Sequence, residues 1–269
     1  TTLSAVSKGD RLVAKDVRAG IVLAGQRAEV RELTGSVLGG RLSAAANAPL
    51  VWLNRWLPSR VQIEQPSIDV PATLEATASF EVPQLFALFE RTPTDTLGGS
   101  VELSAKLSTS RPDAAAVLGE LRLERAEIAV GEFRYTQSDV TRLRLAGGAL
   151  TIESLDWRGP GSRVVGRGSV GLLNGSESAL RLEFDSELGI VGALLSGRAT
   201  GRIEGNVEVH GRSDALRITS DTTLSDASWL LPGQRILFAG WSGHVRLADQ
   251  ALSVTKLGGT VNGGSIRVD

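Results

Sequence analysis

Few residues in this chain could carry covalent or metal chemistry. Cys is absent, which removes thiol catalysis, disulfides and Cys-based metal sites together. His210 and His244 are the only histidines, and neither has a neighbour at metal-ligand spacing. The string GRGSVG at 166–171 fits the dinucleotide pattern G-x-G-x-x-G, but that fingerprint needs a helix after its glycines, and LLNGSES follows here. A glycine-spaced strand end is the expected reading. Glu102, Glu183 and Asp185 stand singly among alternating apolar residues, whereas acid–base catalysis needs two carboxyls held in one cleft. No G-x-S-x-G elbow presents a serine nucleophile. Trp52 and Trp56, four apart, would share one helix face in a packing role. The chain is therefore expected to be no enzyme and to need no cofactor or metal.

The bulk properties exclude further classes. A formal net charge of -1 over 269 residues gives no electrostatic footprint for nucleic acid. No Lys/Arg block suggests a membrane-surface patch. The longest apolar runs, such as LGIVGALL at 188–195, are too short to span a bilayer. Met is missing even at position 1, so an internal piece of a longer protein is expected. The 31 Gly lie among Val, Leu and Ile rather than in clusters, which is punctuation between short strands.

What the sequence does contain is a repeat. LRLAGGALTIESL at 143–155 aligns without a gap on VRLADQALSVTKL at 245–257, an offset of 245 − 143 = 102. GSVELSAKLS at 99–108 falls on GRIEGNVEVH at 201–210 at the same offset. A third, diverged copy of the tail, VRELTGSVLGG, starts at Val30. The units read as residues 1–80 (a diverged partial copy), 81–182 (the first complete repeat) and 183–269 (a second, shortened at its C-terminal side).

Each unit reads as strands. Val101, Leu103, Ala105 and Leu107 alternate with Glu102, Ser104, Lys106 and Ser108; Leu180, Leu182 and Phe184 alternate with Arg181, Glu183 and Asp185. Period two predicts strands with one apolar and one wet face, and the turn-like AGGA, GPGS and ADQA linkers predict antiparallel meanders. In all three tails the apolar pair stands three apart (Val30 and Leu33, Ile152 and Leu155, Val254 and Leu257), which predicts a β-bulge at a fixed place. Short helices are expected at 49–57 and 83–89, each opened by Pro, and at 186–197, with Ser186 as N-cap. They would cap or cover a sheet edge.

The order of these motifs resembles a family. ATGRIEGNVEVHGRSDALRI, then a strand carrying DASWLLPG, a strand pair and L-x-V-x-x-L-x-G-x-V-x-G-G look like the periplasmic repeats of TamB and its AsmA-like relatives. The resemblance implies a mainly β fold: an elongated, curved antiparallel sheet trough, a repeating β-groove, with a few short helices. It implies a periplasmic segment of an inner-membrane-anchored protein that bridges to the outer membrane. Phospholipid would be the cargo, and a TamA- or BamA-like outer-membrane barrel a partner. Supporting outer-membrane protein assembly as a scaffold is the alternative role.

Physical reasoning adds to this. A sheet with one apolar face must cover that face. Curling does so in part, and an acyl chain can fill the remainder; only 4% of residues are aromatic, so few bulky side chains are available as plugs. The groove lining read from the apolar phase is Val101, Leu103, Leu107, Leu143, Leu145, Leu150, Ile152, Leu180, Leu182 and Phe184 in the first complete unit. In the second it is Ile203, Val207, Val209, Val245, Leu247, Leu252, Val254, Ile266 and Val268.

Overall fold

The computed structural model describes residues 3–7, 10–55, 63, 71–87, 97–189, 198–231, 236–248 and 251–268. The first third holds β1 (Leu3–Ser7), β2 (Asp10–Ala24), β3 (Arg27–Val37), β4 (Gly40–Pro49), β5 (Ala72–Glu81) and α1 (Val82–Ala87). The middle holds β6 (Leu97–Thr109), β7 (Leu118–Val130), β8 (Phe133–Gln137), β9 (Thr141–Ala146), β10 (Ala149–Gly159), β11 (Ser162–Gly171) and β12 (Glu177–Glu187). The last part holds β13 (Arg198–Arg212), β14 (Arg217–Leu231), β15 (Ile236–Ala248), β16 (Ala251–Val261) and β17 (Gly264–Val268).

Except for β8 and β9, each strand pairs antiparallel with the next, so the chain is one long meander. β8 and β9 lie end to end between β7 and β10 and share one position, so the seventeen strands fill sixteen places. At about 4.8 Å per place, the sheet runs on the order of 70 Å from first to last strand. Strand takes 79% of the chain, which leaves no room for a parallel α/β region. Among the described residues no helix is long and apolar enough to cross a membrane. The unit boundaries at 80/81 and 182/183 fall inside β5 and β12, because a continuous sheet has no gap at which a unit must begin.

The repeat is written into the backbone irregularities. Register shifts lie between Val30 and Leu33 and between Ile152 and Leu155. The third copy has its bulge at Lys256, with φ 52, between Val254 and Leu257. β7 is bulged at Glu124 and β14 at Asp226, again 102 apart. The break between β8 and β9 starts at Ser138, and its counterpart 102 residues on is Gly240, a bulge in an unbroken β15. An extra residue resets the two-residue period, so both members of each apolar pair reach the same face.

Curvature is visible in two ways. Tyr135 on β8 and Ser186 on β12 stand three strand places apart, about 14 Å in a flat sheet, yet their hydroxyls are 2.9 Å apart. The sheet must curl toward the face that carries both. Glycines on that face leave room for the curl: a Cβ on Gly205 would fall on the carbonyl oxygen of Asp221, and one on Gly168 would meet the backbone of β12. On the opposite face, Gly258 has no heavy atom nearer than 3.6 Å to that position.

The expected helices are seen only in part, because residues 56–57, 88–89 and 190–197 lie outside the described residues. Pro83 opens α1 as expected, at its second residue. Pro49 instead ends β4, and a 3-10 helix at Leu50–Arg55 follows; Trp52 is half-buried there, while Trp56 lies outside the described residues. Helical backbone starts at Gly189, inside the expected 186–197, but Ser186 is not its cap. It belongs to β12, because its hydroxyl phase matches the apolar face and bonds to Tyr135; residues 190–197 lie outside the described residues. GRGSVG is part of β11, followed by a turn rather than a helix. One small true core exists, where Val82 of α1 meets Leu97 and Val130, with Val101 and Ile128 against it.

Candidate functional site

Cross-strand partners in a sheet point to the same side, so the register assigns every strand residue to a face. Starting from Leu182 on β12, the partners are Gly166 on β11 and Val207 on β13, and then Ser220 and Leu247 on β14 and β15. Followed through all pairings, the register puts the whole lining expected from the sequence on this one dry face, in both units. Leu150 and Leu252 face the same way, as do Val101 and Ile203.

The dry face extends past that set. Val30, Leu33, Leu42, Leu74 and Phe80 carry it through the partial copy, and Leu121, Leu123, Leu155, Val164 and Leu224 fill gaps in the complete units. The alternation that gave the first set also marks these; five lie in the diverged copy, and Leu155 lies just beyond a bulge. From β3 to β17 no Asp, Glu, Lys, Arg or His occupies a dry-face strand position among the described residues, and the charged bulge residues are exposed.

Most lining residues from β6 to β15 are half-buried: strand neighbours flank them, and among the described residues only α1, over Leu97 and Val101, and Gly189, over Phe133, lie against the face. Toward the last strands the face opens, with Leu252 67%, Ile266 45% and Val268 42% exposed. At the other end Ile21 and Leu23 are equally open, at 63% and 66%. The few aromatics are not spread evenly. Phe133, Tyr135, Trp157, Phe184, Trp229, Phe238 and Trp241 all sit on the dry face toward the turns at 160–161 and 262–263, while the opposite half of the face is aliphatic. Low aromatic content therefore does not mean an unobstructed face. In the second unit Trp241 lies over Gly259, donates its indole N–H to the Thr260 carbonyl at 3.0 Å and packs against Phe238.

The wet face is a lattice of exposed ion pairs. Arg181 reaches Glu183 and Glu208, Arg202 pairs with Asp185, and Arg144 with Glu153. His210 lies beside Glu208 and His244 beside Asp221, both on this face. Asp156 sits between Arg158 and Arg163; hydrogen bonds from Arg163 first and Arg158 second hold its carboxyl well below the usual range. Two shallow, open depressions lie here. One of about 520 Å³ is floored by Ser43, Thr77 and Ser104, and one of about 590 Å³ by Arg181, Glu183 and Glu204. They are dents between polar side chains of the wet face. Among the described residues no three His, Asp or Glu side chains come together as a metal site.

The site is therefore a continuous, uncharged, partly open apolar surface and not a point of convergence. Comparison with family models, with curated proteins and with solved structures finds no match.

Proposed function

We propose that this chain is a periplasmic segment of an inner-to-outer-membrane bridge whose dry face carries phospholipid tails, supporting outer-membrane biogenesis in the manner of the TamB and AsmA-like family. One observation carries the reading: the dry face runs without a charged side chain from β3 to β17 and stays half-open. Exposed apolar surface of that extent on one molecule marks a place where something apolar binds. An acyl chain fits the chemistry, since burying it gives about 0.8 kcal/mol per methylene. With no lining position chemically distinct from the next over most of the face, a tail can shift along it at little cost, which transport requires. Repetition then lengthens the track, by six strand places from β6 to β13, or on the order of 30 Å per unit.

The test is lipid extraction and native mass spectrometry of the purified chain, followed by transfer between donor and acceptor vesicles. Co-purifying phospholipid and accelerated transfer support the reading; a lipid-free chain that accelerates nothing removes it. A second reading is a scaffold that pairs with strands of outer-membrane proteins, and one feature favours it. β17 has no partner on its outer edge among the described residues, and all five of its residues are exposed. Such an edge is a template for strand addition.

A further inference from the structure

The dry face has polar groups in more than one place; the hydroxyls of Tyr135, Ser186 and Ser162 bond to one another, but one cluster holds atoms left without partners. Gln137 and Trp157 are cross-strand neighbours on β8 and β10, and Thr141 begins β9 just beyond the break. The Gln137 amide nitrogen donates to the carbonyls of Leu123 and Glu124, at 2.8 and 2.9 Å, which fixes the side chain beside Thr141, the partner of Leu123. The Gln137 Oε1, the Thr141 Oγ1 and the Trp157 Nε1 are all shielded from solvent and lack a hydrogen-bond partner. Thr141 is only 1% exposed. Buried polar groups are normally satisfied, so three orphans in one neighbourhood require an explanation.

Folding of the unit does not supply it. The equivalents 102 residues on are Ala239, Gly243 and Gly259, and the second unit builds its corresponding strands without any of the three polar groups. There the Trp241 indole is satisfied by a backbone carbonyl. Trp229 Nε1 is also unpartnered in the second unit, but it stands alone.

We infer that Gln137, Thr141 and Trp157 form a neutral hydrogen-bonding subsite that holds the ester-linkage region of a diacyl lipid while its tails lie on the dry face. The set offers an indole N–H donor, a hydroxyl that donates or accepts, and an amide oxygen acceptor, with no charge among them. The indole and the hydroxyl match ester carbonyls, which accept from both, and do not match a phosphate, which calls for Arg or Lys; the Gln137 amide oxygen, itself an acceptor, takes no part in that match. Because the atoms are shielded, the linkage reaches them by displacing a neighbour. Tyr135, next on the same face, lies over Gly159 and is tied to Ser186 through its hydroxyl at 2.9 Å.

The inference rests on the lipid-carrying reading, and the experiment separates the two. Binding of dioleoyl phosphatidylglycerol and of its diether analogue, which has equal tails and no carbonyls, is measured on the full chain by native mass spectrometry and titration. The parent should prefer the ester roughly fivefold, the worth of one neutral hydrogen bond. Thr141→Val, which keeps shape, and Trp157→Phe, which keeps an aromatic ring but is smaller, each remove the polar atom and should bring the ester-to-ether ratio toward one, with circular dichroism confirming the fold. A parent that binds both lipids equally overturns the subsite and leaves the carrying reading intact. A parent that binds neither overturns both. A ratio unchanged in both variants also overturns the subsite.

Discussion

A single charge at the centre of the dry face should stop a sliding tail, and Leu182→Asp is the sharpest way to place it. Leu182 is the sixth of eleven residues of β12, far from either strand end, with Gly166 and Val207 as cross-strand neighbours. Leu145 has the same chemistry but lies beside the turn at 147–148, where a tail can skirt it. Leu182 is half-buried, so losing it costs folding about 1–2 kcal/mol. In the empty trough the new carboxylate still reaches water. When an acyl chain covers it, that water goes, and desolvation of the ion costs several kcal/mol. Taking 3 kcal/mol, passage slows about a hundredfold. The carboxyl can avoid this cost by taking up a proton, since desolvation raises its pKa. Transfer should therefore recover as pH falls through that raised value, whereas Leu182→Arg stays blocked. Thr151→Asp is the control: it lies on the wet face opposite Arg144 and should leave transfer unchanged. The assay is transfer of labelled phospholipid between vesicles, in the full-length protein, after circular dichroism shows each variant folded. Folded Leu182→Asp protein that transfers at the parental rate near neutral pH would refute the dry face as the conduit.

Gly205→Val should destabilise by more than 3 kcal/mol in urea unfolding, because its Cβ meets the backbone of β14 and nothing flexible can yield, while Gly258→Ala on the open face should change stability by less than about 1 kcal/mol. Tyr135→Phe keeps the ring over Gly159 and loses the hydroxyl bridge to Ser186; the midpoint of urea unfolding should fall by the equivalent of about 1 kcal/mol. Asp156→Asn should cost at most about 1 kcal/mol at neutral pH, since both guanidiniums are largely exposed and screened. The folded carboxyl titrates below its unfolded value, so its contribution is complete above about pH 4 and fades as pH falls further; parent and variant stabilities should converge in acid, and added salt should narrow their gap at neutral pH.

The sequence made the strands, their pairing and the dry face legible for one reason: a two-residue period, carried past each bulge by the repeat, assigns sides without knowledge of the third dimension. Ile152 and Leu155 illustrate this, since the three-residue spacing is itself the bulge. Other features were hidden because they depend on the curl. Tyr135 and Ser186 are 51 residues apart, and only a curved sheet joins them. The unpartnered polar cluster was equally silent, since Gln137 and Trp157 become neighbours only through the β8–β10 pairing, and Thr141 joins them only because the chain breaks at Ser138. Ser186 misled as a helix cap because serine serves caps and strand hydroxyl contacts alike. The aromatics misled in another way: composition counts them, and only register shows that most stand on the same half of one face.

The irregularities that look like defects in this sheet are what make a long groove compatible with a short repeat. A flat strand period alone would give a straight ribbon with two equivalent faces. Bulges recurring at 102 residues raise the local twist at the same place in each unit, and dry-face glycines such as Gly168 and Gly205 remove the Cβ atoms that would hold neighbouring strands apart. The sheet therefore curls toward its apolar side, and each unit repeats the curl of the one before. Because strands pair only with strands one or two places away in sequence, adding a unit disturbs none of the contacts already made, so length can grow without redesign. The same arrangement leaves the lining half-exposed over most of its run, since among the described residues no second layer of strands or long helices covers it beyond the small cluster around Val82. A two-layer protein would bury that surface in its own core; this one keeps it available, and the chemistry of the surface sets what can occupy it.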